Sequence, residues 1–189
     1  MKVTPQAIPE VLLVEPRVFG DDRGYFFETH STRTWEKAGL TERFVQDNVS
    51  FSRRGTLRGL HLQNPSAQGK LVMALTGCVW DVAVDLRVGS PHFGKWVAAE
   101  LSEDNHRQFY VPPGFGHGFC VLSETAHFAY KCTALYEPSA ELSVRFDDPD
   151  LAIAWPVDAP LLSPKDEAAP RLAELVSSGR LPTFGSVRE

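Results

Sequence analysis

The stretch GTLRGLHLQ, from Gly55 to Gln63, places a histidine inside an apolar, strand-like run behind glycine punctuation. A second stretch, PPGFGHGF from Pro112 to Phe119, has the same character: turn residues first, then an apolar run with one histidine. Glycine and proline end regular structure, and apolar runs between them are typical of short β-strands. We therefore expect His61 and His117 to lie on strands of a β-rich core.

The spacing of the glycines, prolines and histidines in these stretches resembles two half-motifs of small cupin-type β-barrels, in which such histidines point into the barrel and usually hold a metal ion. A metal-binding version would have a second His at the position of Gln63 and a Glu at that of Ala67 or Gln68. A catalytic zinc normally has three protein ligands, and a non-haem iron has two histidines and a carboxylate. Two histidines are too few, so we expect no metal and two interior imidazoles free for proton chemistry.

Composition supports one ordinary globular unit. The apolar share is 43% and the charged share 23%, which are typical globular values. The length suits a single domain, 1–189, with a core over about 8–170 and a C-terminal tail over about 177–189. No apolar stretch is long enough to span a membrane and the N-terminus lacks a signal-peptide pattern, so we expect no membrane partner and a cytoplasmic soluble protein.

Charge and cysteine content narrow the function classes further. The net charge is −5, and the sequence has no basic stripe that could neutralise a phosphate backbone. This argues against nucleic acid as a general partner, but it does not exclude a small anion held locally. Cys78, Cys120 and Cys132 are odd in number, widely spaced and flanked by apolar or β-forming residues. We expect buried free thiols in a reducing compartment.

The rest of the chain is a series of short strands broken by turns, which predicts a sandwich or barrel. The predicted strands are 11–14, 25–29, 44–45, 70–75, 79–86, 96–101, 108–111, 118–122 and 126–132. A short helix capped by Ser31 or Thr32 should end at Gly39, and a second helix is predicted near Lys165 to Val176. The final residues, about 177–189, are expected to be loosely structured.

Alternation along 79–86 places Asp81 on the opposite face from Trp80. A carboxylate therefore points either to solvent or to a cavity, and its pairing with a histidine would decide between the two.

Eight segments in consistent order carry a resemblance to one family. They are FGDDRGYFFE (19–28), VQDN (45–48), LRGLHLQ (57–63), QGKLV (68–72), DVAVD (81–85), PGFGHGF (113–119), YK (130–131) and SPKD (163–166). From about residue 8 to 170 the chain resembles the dTDP-4-dehydrorhamnose 3,5-epimerase family. The resemblance implies a mainly β fold, a cupin-like β-barrel or jelly roll with a few short peripheral helices.

The resemblance also implies a reaction. The family's substrate is a 4-keto-6-deoxy sugar carried on dTDP, whose ketone acidifies the hydrogens on C3 and C5, so epimerisation needs no cofactor. It needs a base, a group that stabilises the enolate oxygen, and an acid on the opposite face. By resemblance, His61 is the base and Asp166 orients it, Lys70 stabilises the enolate, and Tyr130 is the acid.

The remaining implied residues bind the substrate or support the site. His117, oriented by Asp81, is assigned to binding and support, and Tyr136 matches the aromatic that stacks on thymine. The other implied binding residues are Arg23, Arg58 and Lys165 near the diphosphate or sugar, and Glu28, Gln46, Asn48 and Glu141 as polar contacts. The N-terminal strands of the family cross to a partner subunit, which implies a homodimer in which Arg23 and Glu28 serve the neighbouring site.

Four alternatives stay open. Relatives with the same catalytic residues epimerise only C3 or only C5, and motifs cannot separate them from the double epimerase. A 3,4-ketoisomerase on the same scaffold is disfavoured by the Arg58 to His61 segment and Tyr130, and a metal-dependent cupin oxygenase by Gln63. A non-catalytic sugar-nucleotide binding module would bind ligand without exchanging the C3 or C5 hydrogens.

Overall fold

The computed structural model describes residues 1–186 and is built mainly from antiparallel strands. The strands are β1 Lys2–Pro5, β2 Leu12–Glu15, β3 Val18–Asp21, β4 Gly24–Phe27, β5 Gln46–Arg53, β6 Leu57–Gln63, β7 Lys70–Thr76, β8 Cys78–Asp85, β9 Trp96–Ser102, β10 Gln108–Val111, β11 Phe115–Val121, β12 Thr125–Cys132 and β13 Glu141–Ser143. The helices are α1 Thr32–Glu36, α2 Pro164–Glu167 and α3 Leu172–Ser177, with a 3-10 turn at Pro138–Ala140. The prediction of a mainly β, cupin-like jelly roll with a few short helices is confirmed.

Two sheets form the body of the molecule. The larger has six strands in the order β1-β2-β10-β7-β12-β5, and the smaller has five in the order β13-β6-β11-β8-β9. Strands β3 and β4 form a separate hairpin. In the part of the chain described, no helix has the length and apolar character needed to cross a bilayer.

The main core fills the space between the sheets. Phe109 and Phe128 from the larger sheet pack with Phe115 and Phe119 from the smaller one. Alternation along β8 turns Ala83 into this core, whereas Val82 belongs to a second cluster on the outer face of the smaller sheet. Asp81 shares the inward phase of Ala83 and is fully buried, so the carboxylate faces the interior and not solvent.

The C-terminal segment covers the outer face of the smaller sheet. Leu172 and Leu175 of α3, followed by Leu181, pack there against the outward residues of β6 and β8. The prediction of one helix over 165–176 is wrong in detail, because Pro170 separates α2 from α3. The tail predicted to be loose over 177–189 is instead docked as far as Phe184, whose backbone N–H bonds to Val88; residues 187–189 of that prediction lie outside the described residues.

Arg87 joins distant parts of the chain. Its buried guanidinium bonds to Asp85 at 2.7 Å and to Glu10 at 3.0 Å. The same group lies over the rings of Phe115 and Phe184, 4.5 and 5.0 Å from their centroids.

Strands β6 and β11 approach each other unusually closely beside the histidines. Gly59 has a φ of +133°, and a Cβ there would lie 2.5 Å from the Cα of Gly118. The β6–β11 register also shifts between His117 and Phe119, the mark of a bulge. Glycine at Gly59 is therefore required by both the backbone conformation and the lack of space.

Strand β5 differs most from its prediction. The predicted strand 44–45 is wrong: the strand begins at Gln46 and runs to Arg53. Its sequence, QDNVSFSR, is rich in residues with weak β-propensity. It forms because it pairs along its whole length with β12, a contact that local sequence does not reveal.

Candidate active site

Two cavities lie between the sheets, and three of the predicted site residues line both of them. His61, Lys70 and Tyr130 all contribute to an outer cavity of about 270 Å³ and to an inner one of about 190 Å³. His61 comes from β6 of the smaller sheet, whereas Lys70 and Tyr130 come from β7 and β12 of the larger. The two walls of the site therefore belong to different sheets.

His61 is held by a carboxylate. Its Nε2 lies 2.5 Å from Oδ1 of Asp166, which is buried, while the His61 side chain stays partly open to the cavity. The other oxygen of Asp166 accepts a 2.8 Å hydrogen bond from the hydroxyl of Ser163. Burial raises the pKa of Asp166, but the bonds from His61 and Ser163 outweigh it, so the pKa lies below its usual value.

No role was predicted for Ser163, although its position in the sequence indicates a helix cap. In SPKD, Ser163 caps α2, proline occupies the first helical position, and Asp166 donates its backbone N–H to the Ser163 hydroxyl at 3.1 Å. This turn fixes Asp166 against His61 even though the two residues are far apart in sequence.

His117 forms a second pair with a carboxylate, deeper in the barrel. Its Nε2 lies 2.9 and 3.1 Å from the two oxygens of Asp81, and both residues are buried. Burial raises the pKa of Asp81, an effect that His117 and Lys70 oppose. His61 and His117 are directly opposite each other in the β6–β11 ladder, so the two pairs are neighbours.

Lys70 is a buried cation. Among residues 1–186 its ammonium has one hydrogen bond, a long one of 3.4 Å to the backbone oxygen of His61. Burial lowers its pKa, while Cys132, Asp81 and Glu141 favour the charged form. An anion placed in the cavity would supply a closer partner for this ammonium than the described residues do.

Tyr130 faces the cavities from β12. Burial raises the pKa of its phenol, so the hydroxyl stays protonated over a wide pH range. Two buried hydroxyls close to it or to His61 were not anticipated: Ser50 lines the inner cavity, and Ser143 is opposite His61 in the β13–β6 ladder. Among residues 1–186 neither hydroxyl has a hydrogen-bond partner.

The mouth of the outer cavity carries the residues predicted for the nucleotide. The Tyr136 hydroxyl donates to Glu141 at 3.0 Å, and Lys165 forms an ion pair with the same carboxylate. Burial raises the pKa of Glu141, but Lys165 and Tyr136 outweigh it and the pKa falls below its usual value. Gln46 and Asn48 line this cavity and are bonded to each other at 3.1 Å.

Arg58 belongs to the site, whereas Arg23 and Glu28 lie further out. Arg58 lines the inner cavity and is tied to Ser52 by a 3.0 Å bond. Arg23 is on the exposed hairpin, paired with Asp21, and Glu28 accepts a bond from Thr34. Neither Arg23 nor Glu28 lines the His61 cavities of the described chain.

Gln63 stands where a metal-binding barrel would have its second histidine, and here it makes hydrogen bonds instead. Gln63 is buried, and its side-chain amide bonds to the backbone of Ser66, Leu135 and Glu137. Within residues 1–186 there is no cluster of three or more His, Cys, Asp or Glu suited to a metal. A larger cavity, about 580 Å³ and lined by Glu10, Arg87 and Tyr110, contains none of the predicted site residues.

Comparison with known proteins points to one family. Residues 5–174 match the family model described as dTDP-4-dehydrorhamnose 3,5-epimerase. The chain is 57% identical over 176 residues to the Pseudomonas aeruginosa enzyme of that name, covering 92% of this chain and 97% of that one. It is 42% identical over 188 residues to a dTDP-4-dehydrorhamnose 3-epimerase from Streptomyces niveus, covering 98% of this chain and 91% of that one.

The chain also resembles solved structures in its fold. The crystal structure of dTDP-6-deoxy-D-glucose-3,5-epimerase from Legionella pneumophila, in complex with dTDP-4-keto-L-rhamnose, superposes with a TM-score of 0.93. The two chains are 50% identical, and the match covers 98% of this chain and 99% of that one.

Proposed function

Because this chain belongs to the dTDP-4-dehydrorhamnose 3,5-epimerase family, we propose that it converts dTDP-4-dehydro-6-deoxy-D-glucose to dTDP-4-dehydro-L-rhamnose without a cofactor. One observation carries the mechanism. His61, bound to Asp166, and Tyr130 belong to opposite sheets and line the same cavities, so a sugar held there has a base on one face and an acid on the other.

His61 removes the proton. Its Nε2 is bonded to Asp166, which leaves Nδ1 as the nitrogen available to accept a hydrogen from the carbon next to the ketone. The carbon–hydrogen bond electrons move into the enolate, and the imidazole becomes positively charged. The ionised Asp166 stabilises that charge, and Ser163 holds the carboxylate in place.

Lys70 stabilises the enolate oxygen. A buried ammonium with one long hydrogen bond is poorly compensated in the resting site, and it gains a strong partner when negative charge develops on the ketone oxygen. The interaction is therefore stronger in the transition state than in the ground state, which is the requirement for catalysis.

Tyr130 returns a proton from the other sheet. Its phenol gives the proton to the carbanion carbon on the face opposite His61, which inverts that centre. The phenolate then takes a proton from solvent and the His61 imidazolium releases one to solvent, so both groups return to their starting state. Performed at C3 and at C5, these steps give the double epimerisation, and atoms and charge balance without any oxidant or reductant.

The nucleotide part of the substrate binds at the mouth of the outer cavity. Tyr136 offers its ring to the thymine, and Lys165, which is paired with Glu141, supplies positive charge for the diphosphate. Arg58 adds positive charge from the inner cavity. His117, with Asp81, supports the inner wall. The charge is local, so a chain of net charge −5 can still hold an anionic ligand.

We also propose that the chain is a homodimer of cytoplasmic single-domain subunits in which the N-terminal hairpin completes the partner's site. The β3–β4 hairpin exposes Phe19, Tyr25 and Phe26, the last at 70%, beside Arg23. Such exposed aromatic surface is typical of a protein interface. The site residues Arg23 and Glu28, which lie away from their own cavity, would then reach that of the neighbour.

A single-carbon epimerase is the second candidate, because the relative from Streptomyces niveus is named a 3-epimerase. Proton NMR of the dTDP-4-dehydro sugar in deuterated water, with a chelator present, separates the two. Deuterium at both C3 and C5 with a rhamnose-configured product supports the double epimerase. Exchange at one carbon would replace it with the single-site enzyme, and exchange at neither would leave a binding module.

Variants test the assigned roles in the same experiment. His61→Ala should abolish exchange at both carbons while dTDP still binds, and His92→Ala, on a turn away from the cavities, is the matched control. Tyr130→Phe should allow exchange with retained configuration. Near-normal turnover by His61→Ala would overturn the base assignment.

A further inference from the structure

A short segment without helix or strand carries Tyr136. Residues Ala134–Glu137, here called the Tyr136 segment, connect the end of β12 to the 3-10 turn. Leu135 and Tyr136 are 65% and 52% exposed. Since little apolar packing holds this segment, its position depends on hydrogen bonds from other parts of the fold.

Three glutamine side chains supply those bonds. Gln68 donates to the carbonyl of Ala134 at 2.8 Å, and Gln46 accepts from the N–H of Tyr136 at 2.8 Å. Gln63 bonds to the other two residues of the segment, donating to Leu135 at 3.3 Å and accepting from Glu137 at 2.9 Å. Every residue of the segment therefore has a backbone group bound to a glutamine amide.

Gln63 is the central member of this set. It is only 3% exposed, and its amide also donates to the carbonyl of Ser66 at 2.8 Å. It ends β6, so the segment is anchored to the strand that carries His61. Only an amide provides two donors and an acceptor on one group; a carboxylate would place its charge against two carbonyl oxygens.

From this geometry we propose that Gln63 is a positioning residue for nucleotide binding, which fixes the Tyr136 segment before the ligand arrives. The proposal rests on the proposed function in one respect, that Tyr136 contacts the base of a dTDP-sugar. A loop held in its binding conformation loses little conformational entropy on binding, so Gln63 contributes to affinity through the Tyr136 segment.

The effect should appear in binding and not in chemistry. The base of the nucleotide is remote from the reacting carbons, so weaker contact there affects the ground state and the transition state equally. Gln63→Leu, of similar size, should raise the dissociation constant for dTDP and the KM for the dTDP-4-dehydro sugar by about tenfold, with kcat changed by less than about threefold.

Asn105→Leu is the matched control. The Asn105 amide also makes three hydrogen bonds to the backbone, to Glu100, Ser102 and Arg107, in the turn between β9 and β10. Asn105→Leu should lower the free energy of unfolding by about as much as Gln63→Leu does, but should leave the dTDP affinity unchanged. This comparison separates a positioning role from general destabilisation.

A double-mutant cycle with Tyr136→Ala provides the decisive measurement, by calorimetric titration with dTDP alone. If Gln63 acts through Tyr136, the double variant binds no more weakly than Tyr136→Ala. Additive losses, or a Gln63→Leu protein that lowers kcat at unchanged KM, would overturn the proposal. If Gln63→Leu does not fold, Gln68→Leu removes one bond from the same segment and should give a smaller loss of affinity; unchanged affinity there would also overturn it.

The same titrations distinguish this proposal from the proposed function. If Tyr136→Ala weakens dTDP binding but Gln63→Leu and Gln68→Leu do not, only the positioning role fails. If Tyr136→Ala binds dTDP normally, the assignment of Tyr136 to the nucleotide fails first, and the role of Gln63 fails with it.

Discussion

Replacing Gly59 with alanine should damage both stability and activity, because two effects act at this residue. Its φ of +133° lies in a region that is essentially restricted to glycine, at a cost of about 1–3 kcal/mol for other residues. The added Cβ would lie 2.5 Å from Gly118 Cα and 2.8 Å from the His117 oxygen, where ordinary contact is 3.4–4 Å. The strands must therefore separate by about 1 Å, and overpacking of this kind costs about 1–3 kcal/mol.

The two costs add to about 2–6 kcal/mol, a large share of the 5–15 kcal/mol that typically stabilises a domain. The displacement falls between His61 and His117. Because a misplacement of about 1 Å at a catalytic group can cost about a hundredfold in rate, kcat/KM should fall by about that factor.

Urea denaturation and turnover of the dTDP-4-dehydro sugar measure the two effects. Gly55→Ala is the matched control, since Gly55 also has a positive φ, +77°, but has no atom within 4 Å of an added Cβ. It should lose only about 1–2 kcal/mol, with little loss of activity. Gly118→Ala, which has no positive φ but places a Cβ 2.9 Å from the Arg58 oxygen, isolates the steric cost. Equal stability and activity of Gly59→Ala and Gly55→Ala would refute the reasoning.

Three further results are expected. Asp166→Asn should lower kcat/KM by about 10²–10⁴ while dTDP affinity measured by calorimetry stays the same, since it removes the carboxylate that stabilises protonated His61; wild-type kinetics would contradict that role. The pKa of Asp166 is lower in the folded state than in the unfolded chain, where it is about 3.9. The stability that the ionised carboxylate contributes is therefore complete above that unfolded pKa and is lost as the pH falls through the lower folded pKa. In Asp166→Asn, the free energy of unfolding measured by urea denaturation from pH 6 to 3 should depend less on pH than in the wild type. Lys70→Met should lower kcat by about 10²–10³ yet raise the free energy of unfolding by about 0.5–2 kcal/mol, because a buried and poorly paired ammonium is removed; a loss of stability would show that Lys70 holds the fold.

Local patterns predicted the features that depend on local rules. Alternation in β8 correctly separated the inward phase of Asp81 from Trp80, and glycine punctuation marked the strands that carry His61 and His117. Cys78, Cys120 and Cys132 are free in the structure, and Cys120 and Cys132 are buried while Cys78 is half-buried. Burial raises the pKa of the Cys120 thiol to about 11, which suits packing and not reactivity.

Features that depend on distant partners were missed. Strand β5 is polar along its more buried face, exposes Val49 and Phe51, and is defined by its pairing with β12. The segment after α3 is ordered by Val88, which follows β8. Gln63 appeared in the sequence only as an absent metal ligand. Its bonds to Leu135 and Glu137 join parts of the chain about seventy residues apart, and no local pattern encodes them.

The contacts of Arg87 have a consequence for folding during translation. Arg87 leaves the ribosome long before Phe184, yet its charge is paired by Glu10 and Asp85 and its second ring contact is Phe184. The nascent chain can balance this charge early, but the second ring cannot cover the guanidinium until Phe184 has been synthesised. Complete burial of Arg87 therefore waits for the synthesis of Phe184, and a chain that stops before Phe184 would leave this surface open to chaperones and proteases.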